Sequence, residues 1–315
     1  MYRKSYGQIW VRVKSRVRLP YAPHSMPKPK GILYAVSAYL IWGTMPLYWF
    51  LLSSISSYEI VAHRILWSAV FMIILSVAVF KTDFRSILRS RKKILYLLST
   101  SALITLNWAL YIWAVAHGHI VDASLGYYIN PFINVILGVC FLKERLSKIQ
   151  ITAIVFAFFG VTYFTFSYGS FPFISIILAS TFAFYALLRK KANIEAMPAL
   201  TVETALAMPV ALGFLIMTFC TDAACHVSAC HISTWLLLML AGPITAIPLY
   251  FFGKAAETVS MTTLGFVQYL SPTLQLLIGI LLFKETFSNA HLVCFSAIWI
   301  GLTFYTVYLV RETKL

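Results

Sequence analysis

Four ionisable residues stand inside long apolar stretches of the sequence: Glu59, His63, Arg64 and Glu203. An arginine at the centre of a membrane helix costs about 2.5–3.5 kcal/mol on insertion scales, so its retention points to recognition, gating or anchoring. Arg64 lies about six residues, or roughly 9 Å, inside its apolar segment. It is placed to recognise substrate charge or close a gate; a snorkelling side chain with a structural role is the competing reading. Glu59 and His63 are spaced i,i+4 and share a helix face, where they can pair or relay a proton, with Glu203 as a further carboxylate. Glu203 sits one to two turns inside its own segment from the opposite end, so a direct pair with Arg64 is not expected.

Pro131 and Pro272 fall near the middle of two other apolar stretches. Each removes one amide donor and frees the carbonyl four residues earlier, at Tyr127 and Gln268. In lipid such a carbonyl needs another partner or a cavity to face. Paired interruptions in corresponding halves mark transport sites, although a kink that merely helps helices pack has the same sequence. Asn130, Asn134, Gln268 and Gln275 cluster beside the two prolines. Asn107, Trp108 and Tyr111 add a polar group and aromatic faces near the middle of a third stretch. Such faces suit stacking on a planar or cationic ligand, or ordinary core packing.

The elements that must position these residues follow from composition. Of the 315 residues 60% are apolar and 11% charged; globular proteins hold about 45–50% and about 25%. A membrane span needs about 20 apolar residues. Ten stretches qualify: 31–52, 59–80, 94–117, 121–142, 149–167, 172–188, 198–219, 234–253, 259–283 and 290–310. Gly242, Pro243 and Pro248 make the eighth the weakest. The fold class is an all-α integral membrane protein of ten transmembrane helices.

The net charge of +15 reflects topology rather than nucleic acid. With the first thirty residues placed in the cytoplasm and ten crossings, cytoplasmic segments collect 23 of the 25 Lys and Arg. The opposite side keeps Lys284, and Arg64 is within a span. This is the positive-inside asymmetry, with both termini cytoplasmic and attraction to anionic lipid as a by-product. Residues 1–30 carry eight basic residues and no acidic one, and Pro20, Pro23, Pro27 and Pro29 break any regular helix. They read as a disordered cytoplasmic tail, or as sequence upstream of a start at Met26. Cys225-His226 and Cys230-His231 share one external loop, where a disulfide, a metal site and no role at all stay open.

A phrase recurs 141 residues apart. Leu137-Gly138 and Phe141-Leu142-Lys143-Glu144 match Ile278-Gly279 and Leu282-Phe283-Lys284-Glu285; Gly160 matches Gly301. Ten spans in two copies give five each, and an odd number turns the second copy upside down. Residues 31–167 form the first repeat and 172–310 the second. Exchanging the conformations of inverted halves converts an inward-open molecule into an outward-open one.

Two five-span units, each with proline in its fourth helix followed by a Lys-Glu pair, resemble the EamA family of the drug/metabolite transporter superfamily. Ile41-Trp42-Gly43, Glu59-Ile60-Val61-Ala62-His63-Arg64, Asn107-Trp108, Tyr127-Tyr128-Ile129-Asn130-Pro131 and Gln268-Tyr269-Leu270-Ser271-Pro272 narrow the resemblance to RarD-type proteins. It covers roughly residues 26–310 and leaves out the tail and the Cys/His loop. The resemblance implies a bacterial inner-membrane carrier of small metabolites or drugs. A secondary exporter working by alternating access is the leading reading, with Arg64, Glu59, His63, Glu203, Asn107, Trp108, Tyr111, Asn130, Pro131, Gln268 and Pro272 as pathway or gate residues. An importer or exchanger, and a membrane subunit with no transport role, are the alternatives. Proton coupling and a homodimer stay open. No resident cofactor, metal site or catalytic residue is assigned, since His-Glu-x-x-His runs, nucleotide loops and paired intramembrane aspartates are all missing.

The charge asymmetry generates a direct test. In a variant whose only cysteine is Cys225, a membrane-impermeant maleimide should label intact cells. Labelling only after the cytoplasmic face is exposed would reverse the topology.

Overall fold

A computed structural model describes residues 29–117, 119–167, 169, 172–220, 232–284 and 288–313. The basic tail up to residue 28 and the Cys225–His231 loop lie outside the described residues. Every regular element is helical: α1 (Pro29–Phe50), α2 (Ser57–Ile74), α3 (Arg85–Leu88), α4 (Arg91–Ala116), α5 (Ile120–Leu142), α6 (Lys148–Ser167), α7 (Phe173–Ala192), α8 (Ala196–Cys220), α9 (Ile232–Thr258), α10 (Met261–Gln268), α11 (Leu270–Leu281) and α12 (Asn289–Thr313). A π-helical turn over Leu75–Val79 extends α2.

Among the described residues nine helices are long and apolar enough to cross a membrane: α2 with its π turn, α4 to α9, α10 with α11, and α12. The remaining expected span, α1, has 22 residues, or about 33 Å of helix. Tyr34, Tyr39, Trp42, Thr44 and Tyr48 dilute its apolar run. α9 passes through Gly242, Pro243 and Pro248 without a break, as membrane helices can when neighbours satisfy the freed carbonyls.

The two central prolines behave differently. α5 continues through Pro131. The corresponding span divides at Tyr269, ending α10 at Gln268, the residue whose carbonyl Pro272 frees. The Tyr269 hydroxyl then donates to the Tyr128 carbonyl at 3.3 Å. These two tyrosines are 141 positions apart, so matching points of the two halves touch.

Other contacts also survive exchange of the halves. α5 packs on α7 while α10 and α11 pack on α1; α1 packs on α9 while α7 packs on α4; α2 packs on α9 while α8 packs on α4; and α6 packs on α12. A Cβ on Gly160 would meet the Cys294 carbonyl at 2.8 Å, and one on Gly301 would meet the Ala153 carbonyl at 2.7 Å. Lys143 and Lys284, again 141 apart, both adopt φ of 56° at the ends of their helices. Without a strong hydrophobic force between helices in lipid, close approach at small residues supplies much of the packing energy.

Gly242 makes the closest approach of these glycines to a neighbouring helix's backbone. A Cβ there would stand 2.4 Å from the Trp67 backbone carbon, and the Gly242 carbonyl accepts from the Ser68 hydroxyl at 3.1 Å. Gly242→Leu should force α2 and α9 apart and destabilise by about 1–3 kcal/mol, read as a lower Tm of purified protein. Gly213→Ala, where a Cβ meets nothing within 4 Å, should hold or raise it; equal losses would discount the crossing.

Candidate functional site

A cavity of about 170 Å³ opens among α1, α2, α4, α5, α7, α9, α10 and α11. Helical spacing explains its walls. Ile104, Asn107, Trp108 and Tyr111 recur at i, i+3, i+4 and i+7 along α4, one continuous face. Tyr39, Trp42, Pro46 and Trp49 form the matching stripe of α1, and Gln268, Ser271 and Gln275 that of the broken span. The cavity runs from mid-bundle toward the end that carries the α1–α2 connection.

Arg64 projects into it from α2. Its guanidinium carbon stands 4.9 Å from the Trp49 ring centroid and 5.0 Å from that of Trp108. Its Nε donates to the Thr245 hydroxyl at 3.1 Å. The rings attract the cation electrostatically but do not neutralise it. Among the described residues no carboxylate lines the cavity, and the ion pairs are Arg189–Glu203 and Lys254–Glu257. Arg64 is thus a cation whose two terminal nitrogens have no hydrogen-bond acceptor among the described residues.

A layer of amides crosses the bundle at the prolines. Asn107 Nδ2 donates to the Leu178 carbonyl and the Thr181 hydroxyl, both at 2.8 Å. Asn130 Nδ2 donates to the Ala179 carbonyl at 2.6 Å, and Asn134 Nδ2 to Asn130 Oδ1 at 2.9 Å and Gln268 Oε1 at 3.3 Å. Gln275 Nε2 reaches the Trp42 carbonyl and the Ser271 hydroxyl, each at 3.3 Å. The Asn134–Asn130 and Gln275–Ser271 pairs are 141 residues apart. Each half therefore bonds a side-chain pair at matching positions and ties its fourth span to a neighbour's backbone, through Asn130 in the first half and Gln275 in the second.

Of the expected pathway residues, the structure brings Arg64, Asn107, Trp108, Tyr111, Asn130 and Gln268 to this cavity. Glu59, His63, Glu203, Pro131 and Pro272 do not line it. Glu203 is buried at the other end of the bundle, accepting from Thr100 at 2.7 Å and Tyr185 at 3.3 Å and paired with Arg189 at 3.4 Å. His63 is buried near the N-terminal end of α2, edge-on to Trp235 at 5.6 Å, with no hydrogen bond at Nδ1. Pro131 supports packing, since its carbonyl lies 2.9 Å from where Gly265 would carry a Cβ. Reading the sequence missed Trp49, Tyr127 and Thr245, three unremarkable residues in apolar runs. It also missed Arg189, which with Lys190 and Lys191 enters there only in the count of cytoplasmic Lys and Arg.

At the end of the bundle away from the cavity, polar contacts bridge the helices. Glu144 caps α10, accepting from the Met261 amide at 2.7 Å, the Thr262 amide at 3.1 Å and the Thr262 hydroxyl at 2.8 Å. A carboxylate at a helix N-terminus satisfies orphan amides and the dipole together. Lys190 donates to the carbonyls of Ala256 and Val259, and Glu257 accepts the Ala196 amide at 2.6 Å.

Comparison with known proteins gives this arrangement its context. The model of the EamA-like transporter family matches residues 29–166. The uncharacterized transporter YojE of Bacillus subtilis is 42% identical over 282 residues, which cover 88% of this chain and 93% of that protein. Protein RarD of Escherichia coli K12 is 38% identical over 289 residues, covering 90% of this chain and 97% of RarD. A solved crystal structure shares the fold with a TM-score of 0.66 at 17% identity, across 89% of this chain and 98% of its own. Both relatives are matched nearly end to end, so the likeness includes the second half beyond the family model's reach. This multi-pass membrane protein belongs to the EamA-like transporter family, in company with the RarD proteins.

Proposed function

We propose that the protein is a secondary transporter that moves a small metabolite or drug-like molecule across the bacterial inner membrane by alternating access, in the direction of export. The observation that carries this reading is the mid-bundle cavity with one unneutralised cation and walls drawn from both halves. A site shared between two halves is where rocking one against the other changes access without dismantling the walls. The helix pairing that survives exchange of the halves supports an inverted repeat.

With the basic loops in the cytoplasm, the cavity faces outward and the Glu144 cap closes the cytoplasmic end. The state is then outward-facing. An exporter must pass through it to release cargo and return. Import or exchange uses the same two states under different gradients, so direction is a matter of driving force. Counterflow in proteoliposomes across a metabolite panel, with and without a proton gradient, tests transport and coupling together. An absence of counterflow by any panel member in well-folded protein would argue for a non-transport subunit.

Two variants probe the two ends. Arg64→Ala should abolish counterflow while folded yield falls less than activity. Arg64→Lys should restore little, because an ammonium lacks the planar fork; normal transport by the Ala variant would make Arg64 a structural anchor. Glu144→Ala removes charge-assisted bonds worth about 1.5–3 kcal/mol and should favour opening of the cytoplasmic end. A cysteine at position 261, where Met261 is fully buried, should then label about tenfold faster. An unchanged labelling rate would mean the cap does not hold that end shut.

A further inference from the structure

We infer that the cavity takes a small monocarboxylate whose body is a single ring or a comparable apolar group, with the carboxylate on Arg64. This deepens the transporter reading and rests on it.

The charge argument comes first. Among the described residues the cavity wall holds one positive charge and no negative one, and an isolated cation within the span of a membrane is costly. A monoanion cancels it. A dianion would leave surplus negative charge in the bundle, and a cation would double the positive charge. The donor geometry agrees. Nε is engaged by Thr245, while the two terminal nitrogens have no acceptor among the described residues. They present the parallel N–H groups that match a carboxylate.

A second anionic group would find little to bind. The amino groups of Asn107, Asn130 and Gln275 already donate to backbone carbonyls of α7 or α1. Their carbonyl partners also fix which way each amide is turned. The remaining donors on the described wall, among them the unpartnered Tyr39 hydroxyl and the Gln268 amide, are neutral, so the charge that attracts an anion is concentrated at Arg64.

Size and wall chemistry set the rest of the ligand. A cavity of about 150 Å³ holds one benzene, and this one measures about 170 Å³. Beyond Arg64 its wall is aromatic: the Trp42 ring lies 5.5 Å from Tyr39 and 5.9 Å edge-on from Phe182. Offset and edge-to-face contacts with such rings favour a flat apolar body. An inorganic anion would leave that wall facing an empty space.

The test uses the full chain in lipid nanodiscs and three near-isosteric probes: phenylacetate, neutral phenylacetamide and cationic 2-phenylethylamine. Binding is read from the fluorescence of the cavity tryptophans. Phenylacetate should bind at least about tenfold more tightly than the other two, the scale of one charge-assisted hydrogen bond. Arg64→Gln should erase that preference while its thermal unfolding remains cooperative. Equal binding of phenylacetamide, a preference that survives in Arg64→Gln, or no binding by any probe would overturn the proposal.

Counterflow of labelled phenylacetate at alkaline pH, measured against protein-free liposomes, separates this inference from the transport reading. Selective binding without counterflow supports the ligand class and overturns transport. Counterflow of the neutral or cationic probe without preference for the carboxylate supports transport and overturns the ligand class.

Discussion

Hydrocarbon offers a polar group nothing to bond with, and that constraint arranges this bundle. Every buried donor, acceptor and charge must find its partner inside the protein or face water. The consequences differ at the two ends. Where the bundle is closed, Glu203 is met by Thr100, Tyr185 and Arg189, and Glu144 by two amides and a hydroxyl. Where it is open, Arg64 rests on two indole faces and a hydroxyl without a counter-ion. Glu203 is enclosed and paired, whereas Arg64 is half-buried beside a cavity, and a charge costs more the further it is removed from water.

The same constraint explains the amide layer. A proline in the middle of a span frees a carbonyl, and the broken span also leaves its flanking turns short of partners. Asn130 and Gln275 knit these spans to the backbones of α7 and α1, and Asn134 links Asn130 to Gln268 across the two halves. The Tyr269 hydroxyl reaches the matching tyrosine's carbonyl in the other half. The break thus comes with a set of directional bonds that fix where each half meets the other. Those bonds lie beside the cavity, so the machinery that holds the halves together also shapes the site.

Much of this was legible in the sequence, and what was not has identifiable causes. Long apolar runs mark helices because lipid leaves no other use for them, and Arg64 stood out because its cost there is high. The α4 stripe was legible because 107, 108 and 111 share a face. By contrast Pro131 and Pro272 look equivalent in sequence, yet only the second coincides with a break. A proline removes one bond in either case, and neighbouring helices decide whether the chain bends or divides. Glu203 looked like a pathway carboxylate because its partner was hidden. Arg189 sits in a run of three cations that reads as a loop, while its side chain is buried and turned inward to meet Glu203. Glu144 was visible only as half of a repeated Lys-Glu pair, and its role depends on α10 arriving from 117 residues away.

The contrast between the two ends bears on how such a carrier would cycle. Closing the cavity over Arg64 would take it from its half-buried position to the full enclosure in which Glu203 now sits with Arg189 supplied by the chain. Among the described residues Arg64 has no such partner, so closure of the empty site meets an electrostatic barrier. A bound anion would supply the missing charge and lower that barrier. On this argument the ligand does more than occupy the site: it completes the charge pairing that the closed state requires. Coupling between binding and closure then follows from the dielectric alone, with no separate sensing element, and it favours exchange of loaded states over slippage of the empty carrier.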